Sequence, residues 1–195
     1  NAQVVQALVA PFNFEQLQTD ICTIFLLEAR RHNHLIDPTS GLKSIGMGDE
    51  NPLSLWDFSR EASDLKLTFD VVKGSPFAGA MLDHFDFGFH AITGTRSESM
   101  EYESVHTWFA AYLMDLSQSA YVDEITSYAY CELPHAIKRC LHTIQLSNAR
   151  CILEGQEPFS YFRRGASKDD DSASEGELTI PQLAMLAGIE EMSLR

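Results

Sequence analysis

The stretch Pro134-His135-Ala136-Ile137-Lys138-Arg139-Cys140-Leu141-His142-Thr143-Ile144-Gln145-Leu146-Ser147-Asn148-Ala149-Arg150-Cys151-Ile152-Leu153 decides the fold class. Its apolar residues return every three or four positions, the period of a helix with one buried face. Pro134 stands where a first helical turn needs no N–H, so it opens the helix instead of breaking it. The spacing predicts a helix from Pro134 to about Leu153 with Ile137, Leu141, Ile144 and Ala149 turned inward. Cys140 and Cys151 fall on one of its faces.

The same period runs through most of the chain. Asn13 and Gln16 stand in capping-box relation before Leu17, Ile21, Ile24 and Phe25, predicting a helix to about Arg31. Residues 37–41 read as a turn, and 46–51 as a polar loop. Asn51 and Pro52 predict a further helix carrying Leu53, Leu55, Trp56 and Phe58. Leu65 to Val72 reads either as strand or as helix and is ended by Gly74-Ser75-Pro76. Phe77 to Ile92 reads as a buried helix. A long helix is expected from about Glu98 to Ser117, with Val105, Trp108, Phe109, Tyr112, Leu113 and Leu116 as its apolar stripe. Tyr121 to Tyr130 is a short helix or loop. Six or seven helices without a convincing sheet make this an all-α, multi-helix globular domain.

The composition narrows the class further. With 195 residues and 45% hydrophobic content, the chain can hold one domain and a small appendage. No run approaches the roughly 20 apolar residues of a membrane span, and no three-part signal peptide opens the chain. A cytoplasmic protein without membrane contact is the expectation. The net charge of −14 argues against a broad nucleic-acid surface on the main body. Cys22, Cys131, Cys140 and Cys151 contain no Cys-x-x-Cys pair and read as small buried hydrophobes.

From Arg163 to Glu177 the large apolar residues vanish, and the stretch reads as a solvated, flexible linker. The expected division is an all-α domain over 1–162, a linker over 163–177, and a separate element over 178–195. In that last element Thr179 and Gln182 again stand as a capping box. Leu178 and Leu183 are placed for a hydrophobic staple, and Pro181 lies in the first turn. Ala184 is small where a second helix would pass close. Gly188 follows where the chain would turn, and Ile189 and Leu194 would hold the second helix.

This stretch resembles the bacterial helix-turn-helix families, most closely the winged regulators of the MerR type. The matching residues are Thr179, Ile180, Leu183, Ala184, Gly188, Ile189, Ser193, Leu194 and Arg195. In that family the motif opens the chain, whereas here it stands at 178–195. The resemblance therefore implies the local fold and a nucleic-acid role, and not the family's ligands or metal sensing. It also implies a domain that continues past Arg195 and meets DNA when complete. Thr179, Gln182, Met192, Ser193 and Arg195 are the expected DNA-contacting residues. Glu190 and Glu191, at the start of the second helix, suit its dipole but oppose phosphate.

Several groupings bear on catalysis or metal binding. Glu103/His106 and Glu132/His135 are Glu-x-x-His pairs of the kind that bind di-iron in helical bundles, with Glu28 as an added ligand. Pro134 inside the second pair puts Glu132 before the helix starts. Asp83, His84, Asp86 and His90 lie close in sequence, but His84 and His90 are about 120° apart around a helix and do not share one ligand. His32 and His34 are expected to cap carbonyls or face solvent. The aromatic set Trp56, Phe77, Phe85, Phe87, Phe89, Trp108, Phe109 and Tyr112 reads as core before it reads as a ligand pocket. No nucleophile elbow, phosphate loop or dinucleotide fingerprint occurs.

The expectation is a transcriptional regulator or DNA-associated protein, not an enzyme, without metal or cofactor. Its helical domain would serve sensing or homo-oligomerisation. The alternatives are a protein–protein interaction module and a metal-dependent helical-bundle enzyme.

Overall fold

The computed structural model describes residues 12–37, 39–46, 55–92, 102–128, 132–155 and 178–187, without the side chains of 102–105, 128, 180 and 181. The described residues form eight helices: α1 (Phe14–Leu35), α2 (Ser40–Ser44), α3 (Phe69–Val72), α4 (Pro76–His90), α5 (Tyr102–Ser117), α6 (Ala120–Tyr128), α7 (Leu133–Leu153) and α8 (Ile180–Ala187). They contain no strand, so the all-α expectation holds. No described helix is long and apolar enough to cross a membrane. The predicted linker 163–177 lies outside the described residues.

The chain forms two compact units. One takes its described residues from 12–78 and 113–140, the other from 79–112 and 141–195.

In the first unit, α1 starts as its sequence predicts, with Asn13 Oδ1 accepting the Gln16 N–H at 2.8 Å. The Gln16 amide turns forward to Asp20 Oδ1, 3.1 Å away, so only one arm of the capping box forms. The helix runs one turn past Arg31, to Leu35. That extra turn carries His32, whose Nδ1 meets the Ser40 hydroxyl at 2.6 Å, and His34, whose ring stacks on Trp56 with centroids 3.8 Å apart. Both imidazoles thus meet side chains, where carbonyl caps or solvent were expected. Leu17, Ile21 and Ile24 of α1 are buried, as are Leu42, Leu55, Leu113 and Ile137. Burying each such side chain contributes about 1.5–3 kcal/mol.

The helix expected after Asn51 is not seen in its described part, where a single tight turn at Leu55 and Trp56 leads into a loop. The cause is Arg30. From its buried position on α1 the guanidinium donates to the carbonyls of Leu55 (3.2 Å), Asp57 (2.9 Å) and Arg60 (2.7 Å). These carbonyls serve a buried cation in place of helical N–H groups. The Asp57 carboxylate also accepts the Ser59 N–H at 3.1 Å, closing a turn of its own. Leu65 to Val72 resolves as a turn followed by α3. Lys66 takes a left-handed φ of 55°, and Leu67 N–H reaches back to Ala62 O at 2.9 Å, which no strand permits.

In the second unit, α4 and α7 meet, and the residues expected to turn inward are buried. Met81, Phe85 and Phe89 on α4 and Leu141, Ile144 and Ala149 on α7 are buried. Gly88 marks the closest approach, because a Cβ there would lie 3.2 Å from the Ser147 backbone nitrogen. The stripe of α5 holds at Leu113 and Leu116 and differs from expectation at Trp108. Trp108 is 74% exposed, while His106 and Ala110 are buried. The buried face is turned toward a histidine because that histidine finds a polar partner inside the unit.

Candidate functional site

The first candidate is the start of α8. Its cap forms as a reciprocal pair: Thr179 N–H donates to Gln182 Oε1 at 2.8 Å, and Gln182 N–H to Thr179 Oγ1 at 3.4 Å. The Thr179 hydroxyl donates to the same Gln182 oxygen at 3.0 Å. Two N–H groups that a helix start leaves without intrahelical partners are thereby used. Pro181 sits in the first turn, where it removes no helical bond. Ala184 is 4% exposed and Leu183 43%, so the small residue faces inward as expected. Of the five expected DNA-contacting residues, Thr179 and Gln182 therefore lie together at the helix start, bonded to each other. Met192, Ser193 and Arg195 lie outside the described residues, as do Gly188, Glu190 and Glu191.

The second candidate was missed by sequence reasoning. In the second unit three helices bring polar side chains together in the core. His84 on α4 places Nδ1 3.0 Å from the Ser147 hydroxyl on α7 and Nε2 2.7 Å from His106 Nδ1 on α5. The two rings meet edge to face, with centroids 4.4 Å apart. All three residues are buried, with Asp83, Thr143, Asn148 and Arg150 among the other buried polar side chains of the unit. Arg150 donates from Nε to the Gly88 carbonyl at 2.9 Å and stands 3.9 Å from Glu154. Burial holds the His84 imidazole well below the ordinary histidine range, and the neighbouring His106 adds to this. Burial alone lowers His106 to about 4. Both rings are neutral at pH 7.

Chemically, this is a hydroxyl–imidazole–imidazole chain. It has the connectivity that would let a base take the Ser147 proton and a second ring orient that base. Ser147, however, is buried in the middle of α7, whose backbone packs on Gly88. Spacing along a single helix could not reveal the chain, since His84 and His106 are separated by 22 positions and Ser147 by more. The available signal was polar residues at core-facing positions of otherwise apolar helices.

The second Glu-x-x-His pair does not share a helical face. Glu132 precedes α7, lies 3.7 Å from Arg139, and leaves His135 exposed on the first turn. The Glu103 side chain lies outside the described residues, and Glu28 is paired with Arg31 at 2.9 Å. Among the described residues no group of three or more His, Cys, Asp or Glu side chains is placed to hold a metal ion. Cys22, Cys140 and Cys151 are buried free thiols, as expected, and Cys131 lies outside the described residues. The aromatic set divides, with Phe77, Phe85, Phe87 and Phe89 buried and both Trp56 and Trp108 exposed.

No protein-family model matches the chain, and neither a curated protein nor a solved structure does.

Proposed function

We propose that this chain is a DNA-associated regulator in which a helical, acidic domain is joined to a helix-turn-helix whose first helix is α8. The observation that carries this reading is the reciprocal Thr179–Gln182 cap on a helix that buries Ala184. A tight helix-turn-helix needs that combination of a fixed helix start and a small residue at the crossing point. In this reading Met192, Ser193 and Arg195 follow on the recognition helix, the helical domain senses a signal or forms homo-oligomers, and the protein acts in the cytoplasm.

Selection of bound duplexes from a randomised DNA pool tests it. The full-length protein should enrich a defined sequence, and Ala184→Glu, which puts a carboxylate into the crossing point, should abolish enrichment. A pool that remains random after repeated rounds with the unaltered protein overturns the reading.

A second reading, a protein–protein interaction module, is favoured by the net charge of −14 and by the exposure of Leu183 on α8. A complex retained in high salt distinguishes it from phosphate binding, which weakens steeply as salt rises.

A further inference from the structure

Two imidazoles that meet nitrogen to nitrogen share one proton between them. His84 Nε2 and His106 Nδ1, 2.7 Å apart, are at that separation, so one nitrogen carries hydrogen and the other offers its lone pair. On its other side His84 meets the Ser147 hydroxyl, which can donate or accept. The chain therefore has two neutral arrangements, with the hydrogen bonds running either from Ser147 to His106 or the reverse. One extra proton leaves both contacts intact, because His84 then donates on both sides and the hydroxyl turns to accept. A second extra proton does not. Both facing nitrogens would then carry hydrogen, and two cations would stand in contact at a buried site.

Along the chain, the ionisable groups nearest these residues include Asp83, Asp86 and His90 on α4, His142, Arg150 and Cys151 on α7, and Glu154 just past it; Glu103 comes one turn before His106 in sequence. Arg150 is engaged by the Gly88 carbonyl and Glu154. His142 stands against Phe89, and burial lowers its pKa too. Asp83, next to His84 on α4, is buried as well.

We propose that Ser147, His84 and His106 form an acid-sensitive latch that ties α4, α5 and α7 together within their unit and releases α5 when the pair is forced to take two protons. This is independent of whether α8 belongs to a DNA-binding element. The direction in pH follows from the lowered pKa values. An opened or unfolded chain takes protons on these histidines from about pH 6.5 downward, while the closed unit refuses them until about pH 4 at His106. The latch is at full strength above pH 6.5 and weakens progressively between those limits.

Imidazole nitrogen NMR on the ¹⁵N-histidine-labelled protein, with thermal midpoints from pH 8 to pH 4, tests this. At pH 5.5 His84 and His106 should still show neutral-ring shifts. Amide exchange in the α5 segment 106–112 should accelerate on acidification. The thermal midpoint of His106→Gln, which keeps a polar side chain but cannot titrate, should fall less steeply with acid than that of the unaltered protein or of His90→Gln. If His106→Gln does not fold, the NMR titration of the unaltered protein decides alone. Titration of all the imidazoles near pH 6.5, or an identical acid profile for a folded His106→Gln, overturns the proposal.

Discussion

Arg139 on α7 lays Nε and Nη2 against the two carboxylate oxygens of Asp20 on α1, each at 2.7 Å. Asp20 is 1% exposed, and its Oδ1 also accepts from the Gln16 amide. Hydrogen bonding to Asp20, outweighing the cost of burial, raises the Arg139 pKa further. This forked pair fixes the two helices in register within the first unit, 119 positions apart in sequence.

Removing Asp20 takes the forked acceptor from Arg139 and leaves it the longer, 3.7 Å contact with the more exposed Glu132. Asp20→Asn should cost about 3 kcal/mol in urea unfolding. The double variant Asp20→Leu/Arg139→Met should recover much of that loss. A single-variant loss below about 1 kcal/mol would show that the pair is solvated rather than structural.

Two glycines should respond in opposite directions. A Cβ at Gly41 in α2 would run into the backbone carbonyl oxygen of Ala29 and lie 3.1 Å from Asn33 Cβ, and backbone cannot yield cheaply. Gly41→Ala should destabilise by about 2 kcal/mol despite the better helix former. At Gly79 in α4 nothing lies within 4 Å of the added carbon. Gly79→Ala should stabilise by up to about 1 kcal/mol. Thermal midpoints of the two variants check both signs.

The beginnings of helices were legible, and the contacts between helices were not. Asn13, Pro134 and the Thr179–Gln182 pair act within one turn, so their spacing predicts what they do. Arg30 captures carbonyls 25 to 30 positions away, and nothing near Leu55 in the sequence announces it. The helix expected there was a sound local preference overridden by a buried cation. The α5 stripe holds at Leu113 and Leu116 and departs from expectation at Trp108 for a related reason. Hydrophobicity alone turns Trp108 inward, but His106 takes the core position because His84 awaits it on another helix.

The cap on α8 should carry a measurable share of that helix's stability. Thr179→Ala removes the acceptor of the Gln182 N–H and should cost about 1 kcal/mol. The readout is amide exchange at Leu183 to Ala187, which should quicken several-fold while exchange in α7 stays unchanged. Unaltered exchange in α8 would mean that packing, and not the cap, holds it.

Burial raises the thiols of Cys22 and Cys151 to about 11, and that of Cys140 higher than an ordinary cysteine as well. The thiolate, which is the reactive form, is therefore scarce at pH 8. Iodoacetamide applied to the native protein should leave these three residues unmodified, as read by peptide mass spectrometry, and should label all three in denaturant. Rapid native labelling of any of them would contradict their burial.

The affinity of the full-length protein for duplex DNA, measured across a range of salt, most directly tests the regulatory role. A DNA-binding role predicts binding that weakens by orders of magnitude between about 50 and 200 mM salt, as phosphate contacts release counterions, and that disappears in Ala184→Glu. Absence of binding at 50 mM salt, or an affinity that salt leaves unchanged, would contradict it.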